Sequence, residues 1–175
     1  MNQDRRYPIG RFEWEDGLSE ARRRELIDQI AELPGQVRAA VGGFREQQFD
    51  TPYRDGGWTV RQLVHHLADS HMNGYARFKL ALTEDEPTIK TYAQDRWAEM
   101  IDSRTAPVEV SLALLDALHY RWAMLLRSMS AADFARKLDH PEHGKLSLER
   151  LLGLYAWHGR HHTAHIAGLR ERSGR

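Results

Sequence analysis

The chain of 175 residues contains no cysteine. That absence excludes disulfides, thiolate nucleophiles and cysteine-ligated zinc in one step. An excess of charge is missing as well, because 25 Lys and Arg balance 25 Asp and Glu. Nucleic acid and anionic membranes are held by concentrated basic side chains, so neither partner is expected. No apolar run approaches the ~20 residues needed to cross a bilayer. The first 14 residues are polar, broken by Pro8 and Gly10, and lack the apolar core of a signal peptide. These absences predict a soluble cytoplasmic protein. Repeats and low-complexity tracts are also missing, and the length suits one domain over residues 1–175 with a full hydrophobic core.

What is present is a helical pattern. Over residues 18 to about 44, Leu26, Ile27, Ile30, Leu33, Val37, Ala40 and Val41 recur at three-to-four spacing. Pro34 must kink this helix or begin a new one, since proline cannot donate an interior hydrogen bond. A Pro/Gly loop covers 51–57, after which Thr59 and Gln62 have the capping-box spacing at the head of a second helix reaching about residue 83. Residues 84–106 carry scattered charge with no clear period, and a connection of that length is often functional. A third helix opens at Pro107, a good first-turn residue, with Val110, Leu114, Leu115, Leu118, Trp122, Leu125 and Leu126 as its apolar positions. A short helix over 130–137, a loop over 139–145 and a last helix capped by Ser147 and ending near Arg172 complete the pattern. No segment reads as a strand. The expected fold class is all-α, a four-helix bundle with a long connection between its second and third helices.

Histidine supplies the chemistry. Four of the ten histidines, His158, His161, His162 and His165, fall within eight residues of the last helix. They form two overlapping i,i+4 pairs, each able to present two imidazoles on one face to a divalent transition metal. At ~100° per residue, Leu151 and Leu169 mark the middle of the buried stripe. His158 and His162 centre on that stripe and rank as ligands, His161 sits toward its edge, and His165 is a pocket or supporting candidate. Histidines merely satisfied by hydrogen bonds or solvent are the bland alternative, but burying several imidazoles without partners costs a few kcal/mol. The second helix must add a ligand and offers His65, His66 and His71. Its stripe of Leu63, Val64, Leu67, Gly74 and Phe78 contains His71, with His66 at the edge and His65 opposite. Periodicity by itself picks His71.

Longer motifs then narrow the choice. Gly57-Trp58-Thr59, His66-Leu67-Ala68-Asp69 and His158-x-x-x-His162, with the blocks Asp50-Thr51-Pro52-Tyr53-Arg54, Arg77-Phe78-Lys79 and Trp157-His158, resemble the DinB superfamily of metal-binding four-helix bundles. The match is closer to its YfiT subgroup, metal-dependent hydrolases related to bacillithiol S-transferase, and covers nearly the whole chain. The resemblance implies three metal ligands, His66, His158 and His162, and so prefers His66 to His71. It further implies a crossover between the second and third helices, and a homodimer. His165 stands where many members carry Gln, which leaves its role open.

A neutral three-histidine site with an open position concentrates a double positive charge on a pocket. Such a site can acidify water, polarise a carbonyl or bind a thiol. The expectation is a metal-dependent enzyme holding one divalent transition metal per chain, zinc first and nickel second. Its nucleophile is either water, in a hydrolase, or a low-molecular-weight thiol, in an S-transferase acting on electrophiles. Asp69, one turn from His66, is the candidate catalytic group, orienting that ring or accepting a proton. His119 and Arg121 could reach the pocket, Arg121 to anchor a thiol's carboxylate, and the 84–106 connection with Tyr92 and Trp97 could be a lid or a dimer contact. The competing class is a non-catalytic bundle that binds or senses metal. Di-iron chemistry and zincin proteolysis are disfavoured, because no long helix carries Glu-x-x-His and His-Glu-x-x-His is absent.

Overall fold

Ser19, Thr59, Ser130 and Ser147 each turn the chain into a helix in the same way. Their hydroxyls accept a bond from the backbone amide three residues on, satisfying one donor that a helix start leaves free. At Thr59 the side chain of Gln62 returns the favour to the cap amide, as the spacing predicts. The computed structural model describes residues 5–14 and 17–173. Residues 1–4, 15, 16, 174 and 175, parts of the expected N-terminal stretch and of the expected 1–175 domain, lie outside the described residues.

Four long helices dominate: α1 (Glu20–Val41), α3 (Val60–Thr83), α6 (Val108–Ser128) and α8 (Leu148–Arg172). Between them run the short helices α2 (Glu46–Phe49), α4 (Gln94–Ala98), α5 (Ile101–Thr105) and α7 (Ala131–Ala135), and a hairpin of β1 (Lys137–His140) and β2 (Gly144–Ser147). Helix α1 packs on α6 and α8, and α3 packs on the same two from the other side. Contacts fix the directions. Arg23 pairs with Glu149 and Arg170 reaches the Ala39 carbonyl, so α1 and α8 are parallel. His65 bonds Ser111 while Phe78 packs on Trp122, so α3 and α6 are parallel too. The Arg38 and Arg127 bridges, to Glu109 and to Asp28, make α1 antiparallel to α6. A chain that leaves the end of α3 must therefore travel back along it before α6 can start, which is the crossover that the resemblance implies. Glycine lets α8 fit between its neighbours: a Cβ on Gly159 would lie 2.5 Å from a Leu33 methyl, and one on Gly74 would lie 2.5 Å from the Tyr155 ring.

Four expectations are corrected. Helix α1 runs through Pro34 without a break and stops at Val41 rather than near residue 44. On α6, Val110 and Leu114 are exposed, while Ser111 and His119 occupy the inner face beside Leu112, Leu115 and Trp122. Each of these two polar residues has a buried partner, so apolar counting set the face of the helix wrongly. Residues 84–106 are not irregular throughout, since α4 and α5 lie there, and Gln62 donates to the Ala98 carbonyl at 2.8 Å. The segment 137–147 forms an antiparallel pair with Leu138 opposite Leu146, both buried, where a helix end and a loop were expected. Four-residue strands are too short to show a period.

Candidate metal centre

Helix α3 brings His66, and α8 brings His158 and His162, to one wall. The i,i+4 spacing stacks the α8 pair on one face, with Nε2 atoms 3.1 Å apart. The antiparallel α3 places the Nε2 of His66 3.3 Å from that of His158. Three ring nitrogens that each bond an ion at ~2.0–2.1 Å, with near-tetrahedral angles, must stand ~3.3 Å from one another. The observed spacing fits that requirement, and all three ligand atoms lie within 4.8 Å of one another. Burial draws the His66 imidazole down to about 4, and pushes His158 and His162 well below the usual histidine value. At neutral pH all three are therefore uncharged and able to offer a lone pair.

His71, the ring that periodicity selects, is fully buried but does not join this trio. Its Nε2 lies 3.1 Å from His158 Nδ1, the nitrogen turned away from the other two ligands. Were His158 to hold an ion through Nε2, its proton would sit on Nδ1, placed to be donated to His71. This is the kind of outer partner that fixes a ligand's tautomer and orientation. His65 faces the opposite way, bonded to Ser111 Oγ at 2.7 Å and to the Ala106 carbonyl at 3.1 Å. His161 and His165 are both buried, with Nε2 atoms 3.1 Å apart, and with His162 they form a second close group. Tyr53 packs on His165 at 4.3 Å between ring centroids, and Trp58 packs on His66 at 4.6 Å.

The trio opens into a cleft of about 340 Å³, walled also by Tyr53, Arg54, Trp58, Asp95, Trp157 and His161. A cleft of about 350 Å³ on the opposite side, at α1 and α6, has its charges already paired, Arg23 with Glu149, Arg24 with Glu20 and Arg127 with Asp28. It carries no titratable cluster of comparable kind.

A family model described as the DinB superfamily matches residues 29–166. The chain belongs to the DinB superfamily. A Bacillus mycoides protein named "putative metal-dependent hydrolase" is 54% identical over 170 residues, 97% of this chain and 98% of its own. A Bacillus cereus protein of the same name is 53% identical over 169 residues, covering 97% of each chain. Among solved structures, YfiT from Bacillus subtilis superposes with a TM-score of 0.95 at 48% identity, over 97% of this chain and 98% of its own. It is described as "a probable metal-dependent hydrolase with an unusual four-helix bundle topology". The parallel α3 and α6 of this chain are a departure from up-down order within the same DinB fold.

Other candidates fall outside the DinB cleft. Asp69 is half-buried on α3 but does not line the cleft, and burial together with Asp102 raises its carboxyl to about 6. Arg121 lies over the outer ring of Tyr75 and is exposed. His119 turns its Nδ1 to the Ile30 carbonyl, 2.6 Å away. Sequence reasoning did not single out Arg54, Gln94 or Asp95, all of which line the cleft. The signal for Arg54 was the Asp50-Thr51-Pro52-Tyr53-Arg54 block; nothing in the spacing of Gln94 and Asp95 marks them. In the 84–106 connection, Tyr92 and Trp97 pack on each other with ring centroids 4.5 Å apart and planes tilted by 41°, and neither lines the cleft. Among the described residues no helix is long and apolar enough to cross a membrane.

Proposed function

We propose that His66, His158 and His162 hold one divalent transition metal, zinc in the first place and nickel in the second, and that the site activates a nucleophile for attack on a small molecule. The nucleophile is water in a hydrolase or a small thiol in an S-transferase. The observation that carries this reading is the convergence of three neutral Nε2 atoms on the wall of an open cleft. An ion there would supply Lewis acidity, acidifying a ligand or polarising a carbonyl. The protein's own groups do the remaining work. Trp58 and Tyr53 press on His66 and His165 and limit their rotation. His71 holds the proton side of His158. His161 stands on the cleft wall, its Nε2 held 3.1 Å from that of His165.

The hydrolase reading draws support from the names of the relatives, and thiol transfer uses the same donors. Metal-loaded protein should be assayed with ester and amide substrates, and with small thiols plus a chlorinated or bimane electrophile. Metal-dependent cleavage without thiol turnover selects the hydrolase, and the reverse selects the transferase. No turnover of either kind, with a site that exchanges no ligand, returns the protein to the class of metal carriers or sensors. Asp69 enters the proposal as a positioning residue, acting through its neighbours on α3. Asp69→Asn should shift the acid limb of the pH–activity profile without lowering metal stoichiometry. A homodimer is also proposed, supported by the exposed row Val110, Leu114 and Met124 on α6, which are 56%, 43% and 59% exposed. Sedimentation of the wild type and Leu114→Glu tests it, a monomer in both refuting the dimer.

A further inference from the structure

Only two of the residues lining the metal-site cleft carry formal charge, Arg54 and Asp95. With three neutral imidazoles and a divalent ion the cleft holds a net charge of about +2, so it attracts anions. Arg54 is the one arginine among the described residues with a buried nitrogen that lacks an acceptor. Arg23, Arg38, Arg61 and Arg127 each meet a carboxylate. Arg54 meets none among the described residues: its Nη1 donates to the Asp55 carbonyl at 3.1 Å, and its buried Nε has no acceptor. A guanidinium that rests on the Tyr53 ring at 5.4 Å and meets no carboxylate is unfavourable beside a cationic site unless a ligand brings the negative charge.

The segment that carries Arg54 is built to hold it still. Pro52 and Thr59 bridge as an antiparallel pair, Tyr53 donates to the Trp58 carbonyl at 3.1 Å, and Gly57 donates to the Arg54 carbonyl at 3.0 Å. Arg54–Gly57 thus close a tight turn, with Gly56 at φ 65° where side chains other than glycine are strained. A Cβ on Gly57 would lie 2.8 Å from the Arg54 Cγ, so the glycine leaves room for the arginine stem. From α8, Arg172 pins the turn by donating to the Tyr53 carbonyl at 2.7 Å. Trp58 and Tyr53, on either side, rest on histidines of the site.

We propose that Arg54 is the specificity-determining residue of the cleft, and that the molecule bound there carries a carboxylate which Arg54 receives while another of its groups meets the metal. The inference rests on the metal-site reading above. A fork of parallel N–H donors matches a carboxylate, and Asp95 on the same cleft wall disfavours a more highly charged anion. This role replaces the one that Arg121 was expected to fill.

The test uses the cobalt-loaded full chain and two hydroxamates, which bind a metal whatever nucleophile the enzyme employs. Acetohydroxamate lacks a carboxylate and succinic monohydroxamate carries one. Their affinities are read from the cobalt absorption bands. The carboxylate-bearing ligand should bind about 10-fold more tightly, and Arg54→Gln should remove that preference while leaving acetohydroxamate affinity unchanged. Arg54→Lys should keep part of it, and Gly57→Ala, which displaces the stem but keeps the charge, should reduce it. Equal affinities in the wild type, or a preference that survives Arg54→Gln, overturn the assignment. Competition by inorganic phosphate that acetate does not match overturns the carboxylate. No response of the cobalt bands to acetohydroxamate overturns the metal reading itself, a separate failure.

Discussion

Two groups of buried histidines share α3, α6 and α8, and they differ in what their nitrogens meet. In the interior group, His65 is bonded to Ser111 Oγ and a backbone carbonyl, and His119 to the carbonyl of Ile30. These rings are held by partners that the fold supplies, His65 through both nitrogens and His119 through Nδ1 alone. In the cleft group, the Nε2 of His158 lies 3.3 Å from that of His66 and 3.1 Å from that of His162, and among the described residues no hydroxyl or carbonyl bonds these three atoms. Neighbouring residues fall on opposite sides of this divide, as His65 and His66 do. Deeply buried rings occur in both groups, His65 and His119 in one and His66 and His162 in the other, so burial does not identify a ligand. The partner of each ring nitrogen does.

The widest separation of the two groups comes from removing a ring. His158→Ala or His162→Ala should abolish tight metal binding, because two donors cannot replace three. His65→Ala should leave stoichiometry at one ion per chain and cost stability instead. Equilibrium dialysis with zinc, alongside urea unfolding, reads both. Affinity that survives the cleft substitutions removes the proposed site.

Acid should blur the distinction, since burial depresses rings of both kinds. His119 and His161 are drawn down to about 4 and His165 to about 3 by burial, against ~6.5 in the unfolded chain. Between these values the unfolded chain binds more protons, so stability is fully present above pH ~6.5 and is lost as pH falls toward 4. Asp69 works the other way. Raised to about 6, it stabilises the fold at acid pH and loses that contribution as pH rises through 6. One carboxyl does not offset several imidazoles. The melting temperature of the metal-free protein should therefore fall from pH 7 to pH 4.5; a flat profile would mean that the rings are solvated.

His71 stands between the groups, interior by position and tied to a ligand through His158 Nδ1. His71→Phe should weaken metal affinity about 10–100-fold at unchanged stoichiometry, as removal of an outer hydrogen-bond partner does. His71→Gln, which can still accept from His158, should recover part of the loss. Full affinity in His71→Phe would reduce the ring to packing.

Much of this was legible in the sequence where a period had room to declare itself. The four long helices and the inward pair His158/His162 follow from spacing over twenty or more residues, and the Thr59 and Ser147 caps from local motifs, while the Ser19 cap of α1 was not read. The helical wheel put His71 inside, as the structure does, but it put His65 opposite the buried stripe, whereas that ring is buried against Ser111 of α6. It could not tell that His66, at the edge of the stripe, meets the cleft while the central His71 lies behind a ligand, because a wheel gives angle and not the height of a partner helix. Apolar counting failed on α6, where Ser111 and His119 face inward only because of residues on other helices. Arg54, Gln94 and Asp95 come together from a turn and a short helix whose placement depends on tertiary contacts such as Gln62 with the Ala98 carbonyl.

The smallest predicted effect concerns Pro34, which the sequence marks as a break and the structure absorbs. Proline has no amide hydrogen, so the carbonyl four residues earlier, that of Ile30, lacks its helical partner. His119 reaches across from α6 and donates to that carbonyl at 2.6 Å, allowing α1 to continue to Val41. His119→Phe should cost about 1–3 kcal/mol by leaving a buried acceptor unsatisfied. Pro34→Ala restores an amide that can bond Ile30, so the same His119 substitution should cost less in that background. A double-mutant cycle by urea unfolding should give a coupling of about 1 kcal/mol, with zinc stoichiometry unchanged in all four proteins. Zero coupling would separate His119 from the proline, and a loss of zinc would move His119 into the cleft group.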